Sequence, residues 1–329
     1  MDIVSTGLFQ ERRSLPENRR KIIIDTDPGQ DDAIALMLAL ASPHLEVLGI
    51  VSVAGNVPVA QTATNACKIL ELADRRDIKV YAGCARPLRR SPITAEHVHG
   101  QSGMDGPVLP APTIALQAQH GVDFLIDTIR AHPAGTITVV TLGPMTNLAM
   151  ALVKAPDIAQ RVEQVVAMGG AYSECGNITP NAEFNMFADP DAADIVLHGQ
   201  IPLTLLPLDV THQFLVTPPR LAQLRAMPGR CAQAAASMLG FSERFDLKKY
   251  GWDGAPLHDP CTIGWLLAPD LFSGREVNVS VVVDGPLMQG ATAVDWWHVT
   301  DRPVNARFLR HVDSDGLWSL LAGHLARLP

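Results

Sequence analysis

The chain has 329 residues, with 26 lysines and arginines against 34 aspartates and glutamates, a formal net charge of −8. An apolar content of 47% excludes a disordered protein, and an acidic balance with no basic stripe argues against nucleic-acid binding. The cysteines (Cys67, Cys84, Cys175, Cys231 and Cys261) are an odd number, far apart, with no C-x-x-C, so neither a disulfide framework nor a zinc site is suggested; scattered thiols fit a reducing cytoplasm.

Residues 1–20 are rich in charge and lack the apolar stretch of a secretory signal, so a flexible leader is expected there, followed by one domain over 21–329. Lys21–Asp25 is a buried-type strand, and Asp31–Ala41 the helix that follows it. The apolar run Ala33–Ala41 is nine residues long, far short of the roughly 20 that span a bilayer, so no membrane segment is expected. Then come a strand at Val47–Val53, a helix at Val59–Ala73, a short strand at Val80–Ala82 and a Pro/Gly/His-rich loop from Cys84 to Pro112. The alternation continues with a helix at Gly121–Ala131, strand Thr136–Leu142, helix Met145–Lys154, strand Val162–Met168, helix Pro190–Leu197 and strand Leu203–Leu208. Helices at Pro219–Arg225, Cys231–Phe245 and Asp259–Leu267 precede strands near Val277–Val283 and Ala306–Leu309 and a last helix, Leu317–Leu328. Repeated β-α alternation predicts an α/β fold with a central, mostly parallel sheet flanked by helices. Arg86–Arg90 reads as a solvated loop edge, and Trp296-Trp297-His298 as core packing at a strand or its flank.

The segment Asp25-Thr26-Asp27-Pro28-Gly29-Gln30-Asp31-Asp32 carries the chemistry. Open α/β sheets bind ligands at the carboxyl ends of their strands, where this turn lies. Four carboxylates within eight residues repel one another when ionised, and a bound divalent cation relieves that repulsion. Helix capping accounts for Asp31 or Asp32 but leaves Asp25 and Asp27 unexplained. The nearby donors are all oxygens, which favours Ca²⁺ or Mg²⁺ over zinc. Further polar groups stand at other strand ends: Asn56, the Leu142–Asn147 stretch, Asn177 to Asn185, and His258-Asp259 directly before a helix.

These stretches resemble the inosine-uridine-type nucleoside hydrolases, which cleave the N-glycosidic bond of ribonucleosides. Asp25–Ala33 matches the family's D-x-D-P-G-x-D-D-A pattern without a gap. Val53–Asn56, His97–Gly100 with Gly103-Met104, Thr146-Asn147, Met168–Gly170, Ala182–Asn185 and His258–Pro260 match in the family's order. The resemblance implies a nucleoside hydrolase-like domain with a Rossmann-like core and Ca²⁺ held by Asp27, Asp32, the Leu142 carbonyl and Asp259. It implies that Asp31 deprotonates a metal-bound water, that Asn56, Asn177, Glu183 and Asn185 bind the ribose, that His258 lies near the base, and that Asp25 stands behind the metal. It also implies a small-molecule ribonucleoside substrate and a homodimer or homotetramer. His97 and His99 lie in a segment able to help close the pocket, and Phe241, Phe245, Tyr250 and Trp252 are candidates for aromatic contacts to the base.

Two other readings compete. Haloacid-dehalogenase-type phosphoryl transfer also opens with a strand and D-x-D, but wants Thr or Val where Gly29 stands and a catalytic lysine motif that is missing. A non-catalytic Ca²⁺ or nucleoside binder would have little reason to keep Asp31 and His258.

Overall fold

The β-branched run Ile22–Ile24 lies at the centre of a computed structural model that describes residues 19–329, apart from the side chains of residues 243–247 and 250. Residues 1–18 of the expected leader lie outside the described residues, and Arg20 already pairs with Leu45 as the first residue of β1. In chain order the strands are β1 (Arg20–Thr26), β2 (Leu45–Ser52), β3 (Val80–Ala82), β4 (Ile137–Thr141), β5 (Val162–Met168), β6 (Leu203–Leu206), β7 (Leu215–Val216), β8 (Ala255–Pro256), β9 (Phe272–Val277), β10 (Val279–Val281), β11 (Thr292–Val294) and β12 (Ala306–Val312). Eight form one sheet in the order β3-β2-β1-β4-β5-β6-β12-β9, while β7 with β8 and β10 with β11 form small antiparallel pairs. Within the large sheet only β9 runs antiparallel, at one edge against β12.

The helices are α1 (Gln30–Ala41), α2 (Val59–Leu72), α3 (Glu96–His99), α4 (Gly121–Ala131), α5 (Thr146–Lys154), α6 (Phe184–Ala188), α7 (Pro190–Leu197), α8 (Leu208–Thr211), α9 (Pro218–Ala226), α10 (Arg230–Tyr250), α11 (Pro260–Leu267) and α12 (Ser314–Leu325). Side chains of β1 alternate between two cores: Ile22 and Ile24 pack with α1, α2, α10, α11 and α12, and Ile23 with α4, α5 and α7. A strand buried on both faces needs apolar residues at every position, and this one has them. Helix α1 packs against α2, α10, α11 and α12, which is why Ala33–Leu40 is apolar on every side and fully buried.

This topology places the site. After β1 the chain winds outward to β2 and β3, then returns to lay β4 on the other side of β1. The strand order reverses between β1 and β4, and the crevice at their carboxyl ends is where such sheets bind ligands.

Several boundaries differ from expectation. Strand β6 stops at Leu206 because Pro207 has no N–H for the ladder, and Leu208 starts the short helix α8. The Cys84–Pro112 loop contains α3. Strand β9 gave no alternating signal because Ser273–Glu276 are exposed in succession on an edge. The arginines of Arg86–Arg90 are not merely solvated: Arg89 pairs with Asp191 at 3.3 Å and Asp284 at 2.6 Å, while Arg90 covers the Phe187 ring at 4.1 Å and donates to the Phe187 carbonyl. Core packing holds for Trp296 but not for Trp297, which is 70% exposed; Arg275 lies over both rings.

Candidate active site

The turn from β1 to α1 is tied by its own carboxylates. Asp32, in the first turn of α1, accepts from the Gly29 N–H at 2.9 Å and the Thr26 hydroxyl at 2.5 Å, and more loosely from the Asp27 N–H at 3.3 Å. It therefore caps the helix and still lines the crevice, so capping does not compete with the ligand role expected of it. The Asp27 carboxylate lies between the backbones of Gly55 and Gly143; a Cβ at either position would collide with it. Asn56 holds it, with its N–H on Asp27 Oδ2 at 2.7 Å and its side-chain amide on the Asp27 carbonyl and Asp32 Oδ2, both at 3.1 Å.

From the other strand ends, Asn185 donates to the Leu142 carbonyl at 2.6 Å, joining α6 to the end of β4. Glu183 caps α6, accepting from the N–H groups of Asn185 at 2.8 Å and of Met186 and Gly170 at 3.1 Å. Asn177 braces the same turn by accepting the Phe184 N–H at 2.8 Å. Asp259 leads into α11, and its carboxylate, with those of Asp31 and Asp32, offers oxygens all within 4.8 Å of one another. Asp27 is not part of that triad. The His258 ring meets the Thr211 hydroxyl through Nδ1 at 2.7 Å.

Ten of the eleven residues expected at the site line one cleft; Asp25 alone lies beneath it. Asp25 is held by the Asn147 amide at 2.8 Å, and its second carboxylate oxygen is buried without a hydrogen-bond partner. The cleft encloses about 880 Å³ of unfilled space, open solvent at its mouth included.

Burial dominates the electrostatics. It pushes Asp25 up to about 7 against the pull of Asn147. It raises Asp27 well above the usual carboxylate range, with Asp32 adding repulsion, and does the same to Asp259, where Asp31, Asp32 and Asp27 add theirs. Glu183 rises to about 7 and Asp31 to about 6, both by burial and both drawn back by backbone N–H groups. Asp27, Asp32 and Asp259 are almost inaccessible, whereas Asp31 keeps part of its surface open. The histidines move the other way: burial holds His258 well below its ordinary value and lowers His99 to about 4.

Four parts of the site were not expected. Gln30 joins α1 to the His99 loop, with its amide bonded to the His99 and Asp105 carbonyls and to the His99 ring. Lys249, from the far end of α10, donates to the Asn177 carbonyl at 2.6 Å. His212 bonds Glu174 at 3.0 Å and packs edge-on against Trp252, with His258 5.8 Å beyond. Phe184 lines the cleft between the two expected residues Glu183 and Asn185, where adjacency was the one available signal. Of the expected aromatic residues, the side chains of Phe245 and Tyr250 lie outside the described residues.

A doubly wound α/β protein with a carboxylate floor at its switch point defines an enzyme that handles a polar small molecule. The model of the inosine-uridine preferring nucleoside hydrolases matches residues 22–319, and the chain belongs to that family. An uncharacterized protein of Schizosaccharomyces pombe is 53% identical over 309 residues, 94% of this chain and 100% of the relative. A pyrimidine-specific ribonucleoside hydrolase, RihA, of Shewanella woodyi is 45% identical over 307 residues, covering 93% and 98%. Among solved structures, a plant nucleoside hydrolase, PpNRh1, superposes with a TM-score of 0.88 at 33% identity, covering 93% of this chain and 99% of that one. A purine-preferring ribonucleoside hydrolase from Gardnerella vaginalis gives 0.88 at 31%, covering 93% and 98%.

Proposed function

We propose that the protein hydrolyses the N-glycosidic bond of ribonucleosides, releasing ribose and the free base. The observation that carries this reading is the convergence of four buried or part-buried carboxylates with Asn56, Asn177, Glu183 and Asn185 in one cleft. The similarity to RihA makes pyrimidine ribonucleosides the first substrates to test.

The cleft suits a hard divalent cation. Its floor offers oxygen donors only; burial raises every one of its carboxylates, and the repulsion of neighbouring carboxylates adds to the rise at Asp27, Asp32 and Asp259, a cost that a cation removes. We assign Ca²⁺, with Asp27, Asp32, Asp259 and the Leu142 carbonyl to hold it. When bound, it would supply charge that orients the ribose diol and acidifies the attacking water.

The protein's own groups do the rest. Asp31, the one carboxylate of the floor with open surface, takes the proton of the water that attacks C1′. As the C1′–N bond breaks, its electron pair leaves with the base, and positive charge grows on the ribosyl ring as in other glycoside cleavages. Glu183 and the asparagine amide oxygens, fixed by backbone hydrogen bonds, face that charge without having to reorganise. His258 donates a hydrogen bond to the departing base, and Asp25, braced by Asn147, supports the floor from behind.

A second assignment is favoured by one observation: Asp31, not Asp27, belongs to the triad with Asp32 and Asp259. In that version Asp31 is a ligand and Asp27 takes the proton. Two variants separate them. With Asp31 as the base, Asp31→Ala lowers kcat by about 10³-fold and keeps its calcium, while Asp27→Ala loses calcium by elemental analysis. The reverse pattern moves the proton to Asp27. Failure of the calcium-loaded protein to release reducing sugar from uridine, cytidine, inosine, adenosine and guanosine would overturn hydrolysis and leave a binding protein.

A further inference from the structure

Gln30 stands at the second of the two variable positions of the acidic motif, and its amide is fully committed. Nε2 donates to the His99 carbonyl at 2.9 Å and the Asp105 carbonyl at 3.1 Å. Carbonyl oxygens only accept, so turning the amide over would set three oxygens against one another, and its orientation is determined. Oε1 therefore faces the His99 ring, 2.6 Å from Nδ1. An amide oxygen also only accepts, so Nδ1 must carry the proton of this bond.

In a neutral imidazole only one nitrogen is protonated. Nε2 of His99 is then bare, and it makes no hydrogen bond to any described residue, while the ring forms part of the cleft wall. The loop that presents it cannot easily relax. Asn65 bonds both the Pro28 carbonyl at 3.0 Å and the Ser102 carbonyl at 2.7 Å, and Gln30 binds the loop at two more carbonyls. Gly29 leaves the space that the His99 ring occupies, since a Cβ there would lie 2.6 Å from Nδ1.

We propose that Gln30 is a positioning residue that locks the His99 imidazole with its proton on Nδ1, so that Nε2 meets the substrate as a hydrogen-bond acceptor and selects a donor there. On a ribonucleoside that donor is a ring N–H of the base or the 5′-hydroxyl. The identity of the substrate rests on the ribonucleoside reading above; the tautomer does not.

The tautomer is read directly from long-range ¹H–¹⁵N spectra of the calcium-loaded, ¹⁵N-histidine-labelled protein at about pH 8, where an ordinary histidine is neutral. His99 is assigned by the loss of its signals in His99→Asn. The expected pattern is a protonated-type Nδ1 and a bare-type Nε2, with Gln30→Met moving the ring toward the Nε2–H form that free histidine favours. The inverse pattern in the wild type overturns the proposal.

Kinetics then identify the donor. 3-Methyluridine lacks the ring N–H and 5′-deoxyuridine lacks the hydroxyl. One of the two loses about 10- to 100-fold in kcat/KM against uridine, and Gln30→Met shrinks that ratio to under about threefold. A merely structural role for Gln30 lowers all three substrates alike and leaves their ratios intact, which counts against the proposal, as does equal turnover of both analogues with uridine by the wild type. Should Gln30→Met fail to fold, the wild-type spectrum and the analogue ratios still decide. If uridine is not hydrolysed at all, the ribonucleoside reading falls, and the spectrum alone judges the tautomer.

Discussion

The cleft has a floor and a wall that burial treats in opposite ways. On the floor, the β1–α1 turn and the approach to α11 gather aspartates whose affinity for protons rises. On the wall, His99 and His258 lose theirs. A dry site strips charge from acids and bases alike. The floor recovers its charge with a cation, whereas His99 and His258 work without charge, as neutral rings that hydrogen-bond. These two histidines differ further: the Thr211 hydroxyl can turn either way against His258 Nδ1, while the Gln30 amide holds His99 in one form.

If the floor exists for a cation, removing the cation should cost most. Chelation, or Asp259→Asn, is expected to lower kcat/KM by about 10⁴-fold, with Ca²⁺ restoring the chelated wild type but not the variant at ordinary concentrations. Full activity of protein shown metal-free by elemental analysis would erase the distinction between floor and wall. Next in size is the ribose. Asparagines and Glu183 that expect a hydroxyl are left unpaired when it is missing, so 2′-deoxyuridine should fall at least about 10³-fold below uridine in kcat/KM. Comparable turnover of the two would mean that these side chains do not grip the sugar.

The floor was legible in the sequence and much of the wall was not, for a physical reason. Asp25 to Asp32 are contiguous because one strand-to-helix turn supplies them, and repulsion among like charges marks the segment at once. Regular elements of the sheet and its covering helices were equally plain: Val162–Met168 and Pro190–Leu197 have the expected limits, the first stopping at Gly169 and the second starting at Pro190 after the Asp189 cap. The wall is assembled from distant pieces. Lys249 reaches Asn177 from the end of a long helix, and behind His258, outside the lining itself, Glu174 meets His212 across 38 positions. Gln30 looks like any helical glutamine until the His99 loop is folded over it. His258 stood out through the His258–Pro260 stretch that matches the family pattern, since nothing in its own spacing marks it.

The wall's own test is smaller. His258→Ala should lower kcat on uridine by about 10²-fold, yet cost little with an activated riboside whose leaving group needs no help. Because burial holds the His258 ring well below its ordinary value, it is already neutral at pH 7, and a bound cation would push it further down. The wild-type kcat should therefore rise as pH climbs through the acid range, where Asp31 loses its proton, and show no fall between about pH 6.5 and 8. A descending limb centred in that window would make His258 an acid that works in its charged form.

Stability without metal gives the smallest effect and the most direct contrast. Asp25 and Glu183, raised to about 7, and Asp27 and Asp259, raised well above their ordinary values, bind more protons folded than unfolded, so their contribution is lost as pH rises. His99 and His258 have the opposite slope: unfolded rings take up protons below about 6.5 while the folded ones stay neutral, so their contribution is lost as pH falls. Below about 6.5 the two trends oppose each other; above it only the floor titrates. The Tm of chelated protein should therefore fall by at least about 3 °C between pH 6.5 and 8, and that fall should vanish on adding Ca²⁺. His258→Gln, which removes one of the opposing rings, should extend the downward slope to lower pH. A chelated Tm that is flat or rising across this range would mean that the floor carboxylates ionise freely in the folded protein, and the argument for a cation from their crowding would lose its basis.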